Sequence, residues 1–258
     1  MSFFKKAIAS TLGIGGTKID AVVTTKEIYP GEIVEGIFKI RGGNVSQEIS
    51  DIELDVNTYA RREGDDTEYN QNITIQTVTI PISRKINEGE YIEVPFSFKL
   101  HIHTPISMHK SKVWISTQLG IDNALDSRDK DYINVSSPKY VENVLQSVQS
   151  LGFRIREVEN EYRNRQGNDP NYLQEFEFVA YEGEFRGKLD ELEIVFVPRP
   201  RHVSIYFELD RRARGLRGLM MEELGLDESK LRIQFDYEEL SNVEYIKNQI
   251  QNMLRQRV

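Results

Sequence analysis

Residues 29–44 read YPGEIVEGIFKIRGGN, one strand pattern between two turn signals. Pro30 fixes φ at one turn position and Gly31 permits positive φ at the next, as a tight reversal requires. From Glu32 to Arg41 the residues alternate between two sets, which point to opposite faces of a strand. The pattern predicts a strand over Glu32–Arg41, closed by a second reversal at Gly42-Gly43.

The same signals recur through the first half of the chain. They predict further strands at Ile19–Thr25, Ile49–Arg61, Asn72–Ile82, Tyr91–His101, Ser111–Ile121 and Asp131–Ser136. Seven short strands at this spacing, separated by turn residues, are typical of a β-sandwich. We therefore predict a sandwich domain over residues 1–136, with Trp114 in its core because both of its neighbours are apolar.

A short helix is predicted to link this domain to the rest of the chain. Ser136 or Ser137 can cap the helix, Pro138 suits its first turn, and Gly152 ends it. Strand patterns resume at Phe153–Tyr162, Tyr172–Tyr181, Leu192–Val197, Val203–Leu209 and Leu231–Phe235. We predict an all-β fold of two tandem β-sandwich domains, 1–136 and 153–258, joined by a linker helix over 137–152. An alternative makes the second domain an α+β unit.

The chain ends in a helical pattern, in which Ser241 and Glu244 have the spacing of a capping box. An apolar stripe follows, formed by Val243, Ile246, Ile250, Met253 and Leu254. A stripe of this kind packs on its own domain or docks on a partner. The sequence leaves both open, and the second would allow a homodimer.

A second apolar stripe lies near the N-terminus, where Phe4, Ile8 and Leu12 would share one side of a short helix beside Lys5 and Lys6. Such a helix docks on its own domain or rests on a membrane surface. The longest apolar run in the chain is too short to cross a bilayer. We therefore predict no integral membrane segment.

The composition is that of a globular protein, with 39% hydrophobic and 29% charged residues among 258. The formal net charge is −8, which argues against nonspecific nucleic-acid binding, since that needs a basic surface. The chain contains no cysteine, which excludes disulfides, thiol nucleophiles and cysteine-based zinc sites. A reducing cytoplasm suits such a composition.

No catalytic motif accompanies the strand pattern. The chain has neither a nucleophile elbow nor a phosphate-binding glycine loop. His101 and His103 lie two apart in a predicted strand, so their imidazoles would share a face, and a metal-dependent enzyme is one alternative. Because the pair has no evident third ligand, we predict no catalytic residue, no metal and no cofactor.

Six arginines are concentrated between residues 199 and 217, namely Arg199, Arg201, Arg211, Arg212, Arg214 and Arg217. Guanidinium groups bind carboxylates and phosphates, so this segment is predicted to contact an acidic partner protein. Ion pairs with nearby carboxylates are the alternative. A free sheet edge is a further candidate, because strand addition needs only main-chain groups.

Several short stretches together carry a family resemblance. They are residues 1–6 MSFFKK, 29–32 YPGE, 34–36 VEG, 39–43 KIRGG, 111–115 SKVWI, 129–133 DKDYI, 151–153 LGF and 207–215 FELDRRARG. This set resembles the family of bacterial sporulation-control proteins of stage zero known by the letter M. The resemblance implies an arrestin-type sandwich followed by a second β domain, no known catalytic centre, and regulation at the start of sporulation through contacts with other proteins. It transfers no active-site residue, because the family has no motif of reactive residues.

Overall fold

The structure is a computed structural model that describes residues 16–63, 67–120, 130–163, 170–210 and 230–258. The chain forms two compact units. The first contains the residues up to Thr58, Asn72–Thr104 and Lys112–Val135, and the second contains Tyr59–Gln71, Pro105–Ser111 and Ser136–Val258. The predicted N-terminal helix lies outside the described residues.

Strands dominate both units, and the prediction of a mainly β fold is confirmed. The strands are β1 (Lys18–Val23), β2 (Ile33–Arg41), β3 (Gln47–Glu63), β4 (Glu68–Ile86), β5 (Tyr91–Lys99), β6 (Val113–Leu119), β7 (Asp131–Ile133), β8 (Phe153–Tyr162), β9 (Tyr172–Ala180), β10 (Glu191–Pro198), β11 (His202–Asp210) and β12 (Lys230–Asp236). The helices of the described segments are α1 (Lys139–Ser150) and α2 (Val243–Arg255), with a 3-10 turn at Glu239–Ser241.

The first unit is a sandwich of two sheets. One sheet has the strand order β1-β2-β5, and the other contains β4, β3, β6 and β7. Their inner faces share one core, in which the ring centroids of Phe38 and Phe96 are 4.4 Å apart. Trp114 is 2% exposed, so its predicted burial is confirmed.

The second unit contains an antiparallel sheet with the order β12-β11-β10-β9-β8. One face of this sheet packs with α1 and α2 around a core that includes Phe176, Phe207 and Ile250. Two helices, and no second sheet among the described residues, therefore close this core. This is the layer arrangement of the α+β alternative.

The predicted helix ends differ from the observed ones in their capping residues. Pro138 itself is the N-cap residue of α1, and no side chain caps that helix. In α2 the cap is Asn242, whose Oδ1 accepts a hydrogen bond from the Tyr245 N–H at 3.0 Å. Ser241 instead donates to the Glu238 carbonyl, because it belongs to the preceding 3-10 turn. The predicted capping box at Ser241 is therefore wrong.

The predicted domain ranges 1–136, 137–152 and 153–258 stay a prediction. The compact units differ from them in that Tyr59–Gln71 and Pro105–Ser111 group with the second unit. Helix α1 also belongs to that unit, where Val144 and Val148 are fully buried in its core.

Candidate functional site

The polar face of the sheet in the second unit is lined with glutamates. Along β8 they alternate with core residues such as Val158, and along β9 with Phe176. Alternation places one set of side chains on the face opposite the core. We call this surface the acidic face; it consists of Glu157, Glu159, Glu161, Glu175, Glu177, Glu191, Glu193 and Glu208.

Strand register brings four of these carboxylates into one row. Glu157 lies opposite Glu177, Glu177 lies opposite Glu193, and Glu193 lies opposite Glu208. Like charges directly opposite one another destabilise an antiparallel pair. The acidic face therefore needs basic side chains that lie close to it.

Three basic side chains supply this compensation. Arg61, near the end of β3, contacts Glu161 and lies 3.4 Å from Glu159 through its Nε. The Lys110 Nζ lies 2.7 Å from the Glu157 carboxylate and 3.6 Å from that of Glu159. Arg156 contacts two further members of the set, Glu177 and Glu191. These contacts neutralise part of the charge of the acidic face.

The charge balance of this surface is visible in the pKa values of its groups. The hydrogen bond to Glu157 raises the pKa of Lys110, and the charge of Glu159 adds to this. Burial alone would lower the pKa of Arg61, but its hydrogen bond to Glu161 and the surrounding carboxylates raise it. Both basic groups are therefore held in the charged form by the acidic face.

Glu175 is the carboxyl that responds most to this environment. Burial, which is the largest cause, and the charges of Glu193, Glu161 and Glu208 together raise its pKa to about 8. Arg61 opposes this shift with the smallest of the contributions. Near neutral pH a large fraction of Glu175 is therefore protonated, which relieves part of the repulsion on the acidic face.

A set of buried and partly buried hydrogen bonds holds the Pro105–Ser111 segment, which carries Lys110, against this sheet. Gln174 binds both the carbonyl and the N–H of Ile106, at 2.8 and 3.0 Å. Asn160 donates to the Tyr59 carbonyl at 2.9 Å and accepts from the Ser111 hydroxyl at 3.2 Å. Amide side chains on β8 and β9 thus fix the main chain beside Arg61 and Lys110.

Comparison with known proteins identifies the family. The family described as SpoOM protein matches residues 4–213. The chain is 37% identical over 256 residues to the sporulation-control protein spo0M of Bacillus subtilis strain 168, covering 99% of both chains. The crystal structure of Spo0M from Bacillus subtilis matches with a TM-score of 0.84 and 36% identity, covering 94% of this chain and 99% of that one. The chain belongs to the SpoOM family.

The family resemblance inferred from short stretches of sequence is therefore confirmed, and the structural match supports the mainly β fold. The match to Spo0M extends over both units rather than over one of them, because it covers 94% of this chain. None of the helices in the described segments is long and apolar enough to cross a membrane.

The arginine segment predicted as a contact surface is only partly described. Arg199 and Arg201 lie in the turn between β10 and β11, where the Arg199 N–H donates to the His202 carbonyl at 2.8 Å. The Arg199 carbonyl accepts from the Tyr237 hydroxyl at 3.0 Å, and Arg201 is exposed. Arg211, Arg212, Arg214 and Arg217 lie outside the described residues.

The histidine pair does not lie on a strand face as predicted. Strand β5 ends at Lys99, and Gln76 holds the following turn by binding the Lys99 carbonyl and the His101 N–H, each at 3.0 Å. The turn nevertheless brings the His101 and His103 rings to a centroid distance of 5.5 Å. Among residues with described positions, no three His, Cys, Asp or Glu side chains could hold a metal ion.

The C-terminal stripe lies against the core of its own unit. Ile246, Ile250 and Leu254 are fully buried there, and Met253 is partly buried beside them. Val243 is partly exposed at the start of α2. These three side chains are therefore buried by contacts within the chain itself.

Sequence inspection missed the acidic face. Its signal is present as glutamates spaced two residues apart in β8, β9 and β10, for example Glu157, Glu159 and Glu161. Each strand by itself shows only a polar face. Their convergence depends on strand order and register, which join residues about 50 positions apart in the chain.

Proposed function

We propose that this protein is a non-enzymatic cytoplasmic adaptor that regulates sporulation by contacting other proteins through an arrestin-like scaffold. The observation that carries the proposal is the end-to-end similarity to the sporulation-control protein spo0M, over 99% of both chains. A shared regulatory role is favoured because both units, and not one isolated module, are included in that similarity.

Two features support binding as the mode of action, namely the sandwich of the first unit and the acidic face of the second. The first unit is a two-sheet sandwich, the architecture that the arrestin-like assignment requires. In the second unit the acidic face offers a dense carboxylate surface. Surfaces of this kind steer and select oppositely charged protein partners.

The arginine segment is proposed as the contact for an acidic partner. Arg201 is exposed, and the remaining members, Arg211, Arg212, Arg214 and Arg217, follow β11 in the sequence. Arginine recognises carboxylates with two parallel hydrogen bonds, which gives orientation as well as affinity. Because the net charge of the whole chain is −8, this basic segment contrasts with its surroundings.

Complementation in Bacillus subtilis tests the proposed role. A strain that lacks spo0M receives this chain, and the frequency of heat-resistant spores is measured beside the parent strain. We expect this chain to reverse the change in spore frequency that the deletion causes. A chain that accumulates in the cells and leaves the deletion phenotype unchanged contradicts the proposal.

A charge-reversal variant tests the contact surface separately. Replacing Arg211, Arg212 and Arg214 with Glu should abolish complementation while the circular dichroism spectrum is unchanged. Lys26, Lys85 and Lys112 are exposed, so replacing them with Glu gives a control with the same change in net charge. Equal loss in both variants would indicate a general charge effect and would remove the arginine segment as the contact surface.

A further inference from the structure

Strand β12 forms one edge of the sheet in the second unit, and within the described chain it pairs with β11 alone. The Asp236 N–H donates to the Glu239 carboxylate at 2.8 Å rather than to β11. Because main-chain directions alternate along a strand, the N–H and C=O groups of Arg232 and Gln234 point to the same outer side. The edge therefore presents main-chain groups for further pairing.

Most other described edges carry features that oppose pairing. Strand β5 contains Pro95, and β4 contains Pro81 followed by Ser83 at a φ of 45°. Proline and local distortions of this kind block edge-to-edge association. Strand β7 has only 3 residues. By contrast, β12 pairs with β11 over 7 consecutive residues without a proline or a bulge.

The sequence of β12, KLRIQFD, is complementary to itself when it is read in the opposite direction. Antiparallel pairing centred on Ile233 sets position 230, a lysine, opposite position 236, an aspartate, at both ends of the pair. It sets Leu231 against Phe235 and Arg232 against Gln234. The edge strand β1 lacks this property, since the same operation sets its Lys18 against Val23 and its Asp20 against Ala21.

We propose that β12 pairs with β12 of a second copy of this chain, about a two-fold axis at Ile233. An isologous contact of this kind needs a self-complementary surface, which β12 provides. Each Arg232–Gln234 pair would exchange two main-chain hydrogen bonds, because these are the residues whose groups point outward. The dimer lies away from the C-terminal stripe, whose Ile246, Ile250 and Leu254 are already buried.

The apolar side of β12 supports the same arrangement. Leu231 and Ile233 pack against the core of the second unit but are only partly buried. Pairing with a second strand would cover their remaining surface. A single edge contact is smaller than a standard interface, so we expect a concentration-dependent dimer with a dissociation constant on the order of micromolar. This inference does not depend on the proposed role in sporulation.

Cysteine substitution tests the axis directly, since the natural chain has no cysteine and any disulfide must join two copies. In the proposed dimer the two copies of Ile233 form a non-hydrogen-bonded pair, with Cα atoms about 4.5 Å apart. That separation permits a disulfide. We expect purified Ile233→Cys to form a covalent dimer on mild oxidation. The matched control is Ile19→Cys on β1, another partly buried isoleucine of an edge strand.

Charge exchange tests the register, with the dimer measured by sedimentation equilibrium. Lys230→Glu and Asp236→Lys should each weaken the dimer by roughly tenfold or more, because two attractive pairs become repulsive. The double variant Lys230→Glu, Asp236→Lys should restore most of the affinity. A merely structural effect of either substitution would not be rescued in this way.

A third variant, Gln234→Pro, removes an outward N–H and leaves pairing with β11 intact. We expect it to be monomeric with an unchanged circular dichroism spectrum. A natural chain that sediments as a monomer up to about 100 µM, far above the expected dissociation constant, would overturn the proposal. So would crosslinking of Ile19→Cys in preference to Ile233→Cys, which would assign the contact to β1.

Discussion

Substitution of Glu175 should make the protein more stable, and more so as the pH rises. Its pKa is raised from the ordinary value of 4.5 to about 8 by burial and by neighbouring carboxylates. The folded state therefore binds this proton more tightly than the unfolded state does. The associated stability is present below about pH 4.5 and is lost as the pH rises through about 8. Glu175→Gln removes the titrating group and keeps its shape.

The magnitude follows from the displacement of the pKa. Each pH unit between 4.5 and about 8 changes the free energy of unfolding by about 1.36 kcal/mol, which gives roughly 5 kcal/mol above pH 8. Glu175 is only partly buried, and water screens part of the effect. We expect Glu175→Gln to be about 2–3 kcal/mol more stable than the natural protein at pH 9 and nearly equal to it at pH 4.5.

Urea unfolding of both proteins at several pH values measures this difference. The matched control is Glu161→Gln on the same face, which removes a contact of Arg61 and should destabilise the protein. A difference between Glu175→Gln and the natural protein that does not change with pH would refute the reasoning. A variant that is less stable at pH 9 would refute it as well, because Glu175 would then be stabilised as a carboxylate.

Three further substitutions test the packing and hydrogen bonds of the two units by the same urea titration. Gly36→Ala should destabilise the protein by about 2–3 kcal/mol, because an added Cβ would lie 2.2 Å from the Phe96 ring and 2.6 Å from the Val22 carbonyl. Gly89→Ala, where nothing lies within 4 Å but φ is +66°, measures backbone strain without a clash, and a loss at Gly36 no larger than the loss at Gly89 would contradict the packing explanation. Ile250→Ala should cost about 2–5 kcal/mol by leaving a cavity beneath α2, and a loss under about 1 kcal/mol would mean that the helix does not seal this core. Asn160→Ala should cost about 2–3 kcal/mol, because the Tyr59 carbonyl and the Ser111 hydroxyl lose a buried partner; no loss would indicate that water replaces the amide.

Local pattern predicted the elements well where one strand face is buried. Alternation gave β8 its observed bounds, Phe153–Tyr162, because side chains on either side of an irregularity between Ile155 and Glu157 alternately enter the core. The prediction for the histidine turn was wrong, since the apolar alternation of β5 does not show that its pairing with β2 ends at Lys99. Capping of α2 was also misassigned by one residue, because Ser241 and Asn242 are both competent caps.

The candidate contact surfaces were less accessible to sequence inspection than the elements that carry them. A stripe at helical spacing, as in Ile246, Ile250 and Leu254, shows that one side of a helix avoids water. It does not identify the surface that the helix covers, which the structure assigns to the core of its own unit. The arginine segment is visible in the sequence because its residues are close together along the chain. The glutamates of the acidic face are dispersed over four strands.

Local periodicity and the order of residues along the chain were enough to predict the mainly β fold, most of the strands, helices α1 and α2, and the family. The folded structure alone reveals which glutamates face one another, why the pKa of Glu175 is raised, and that β12 is the last strand of its sheet among the described residues. Strand order and register join residues far apart in the chain, and electrostatic effects depend on distance in space. No local sequence pattern contains the strand register or the distances between charges.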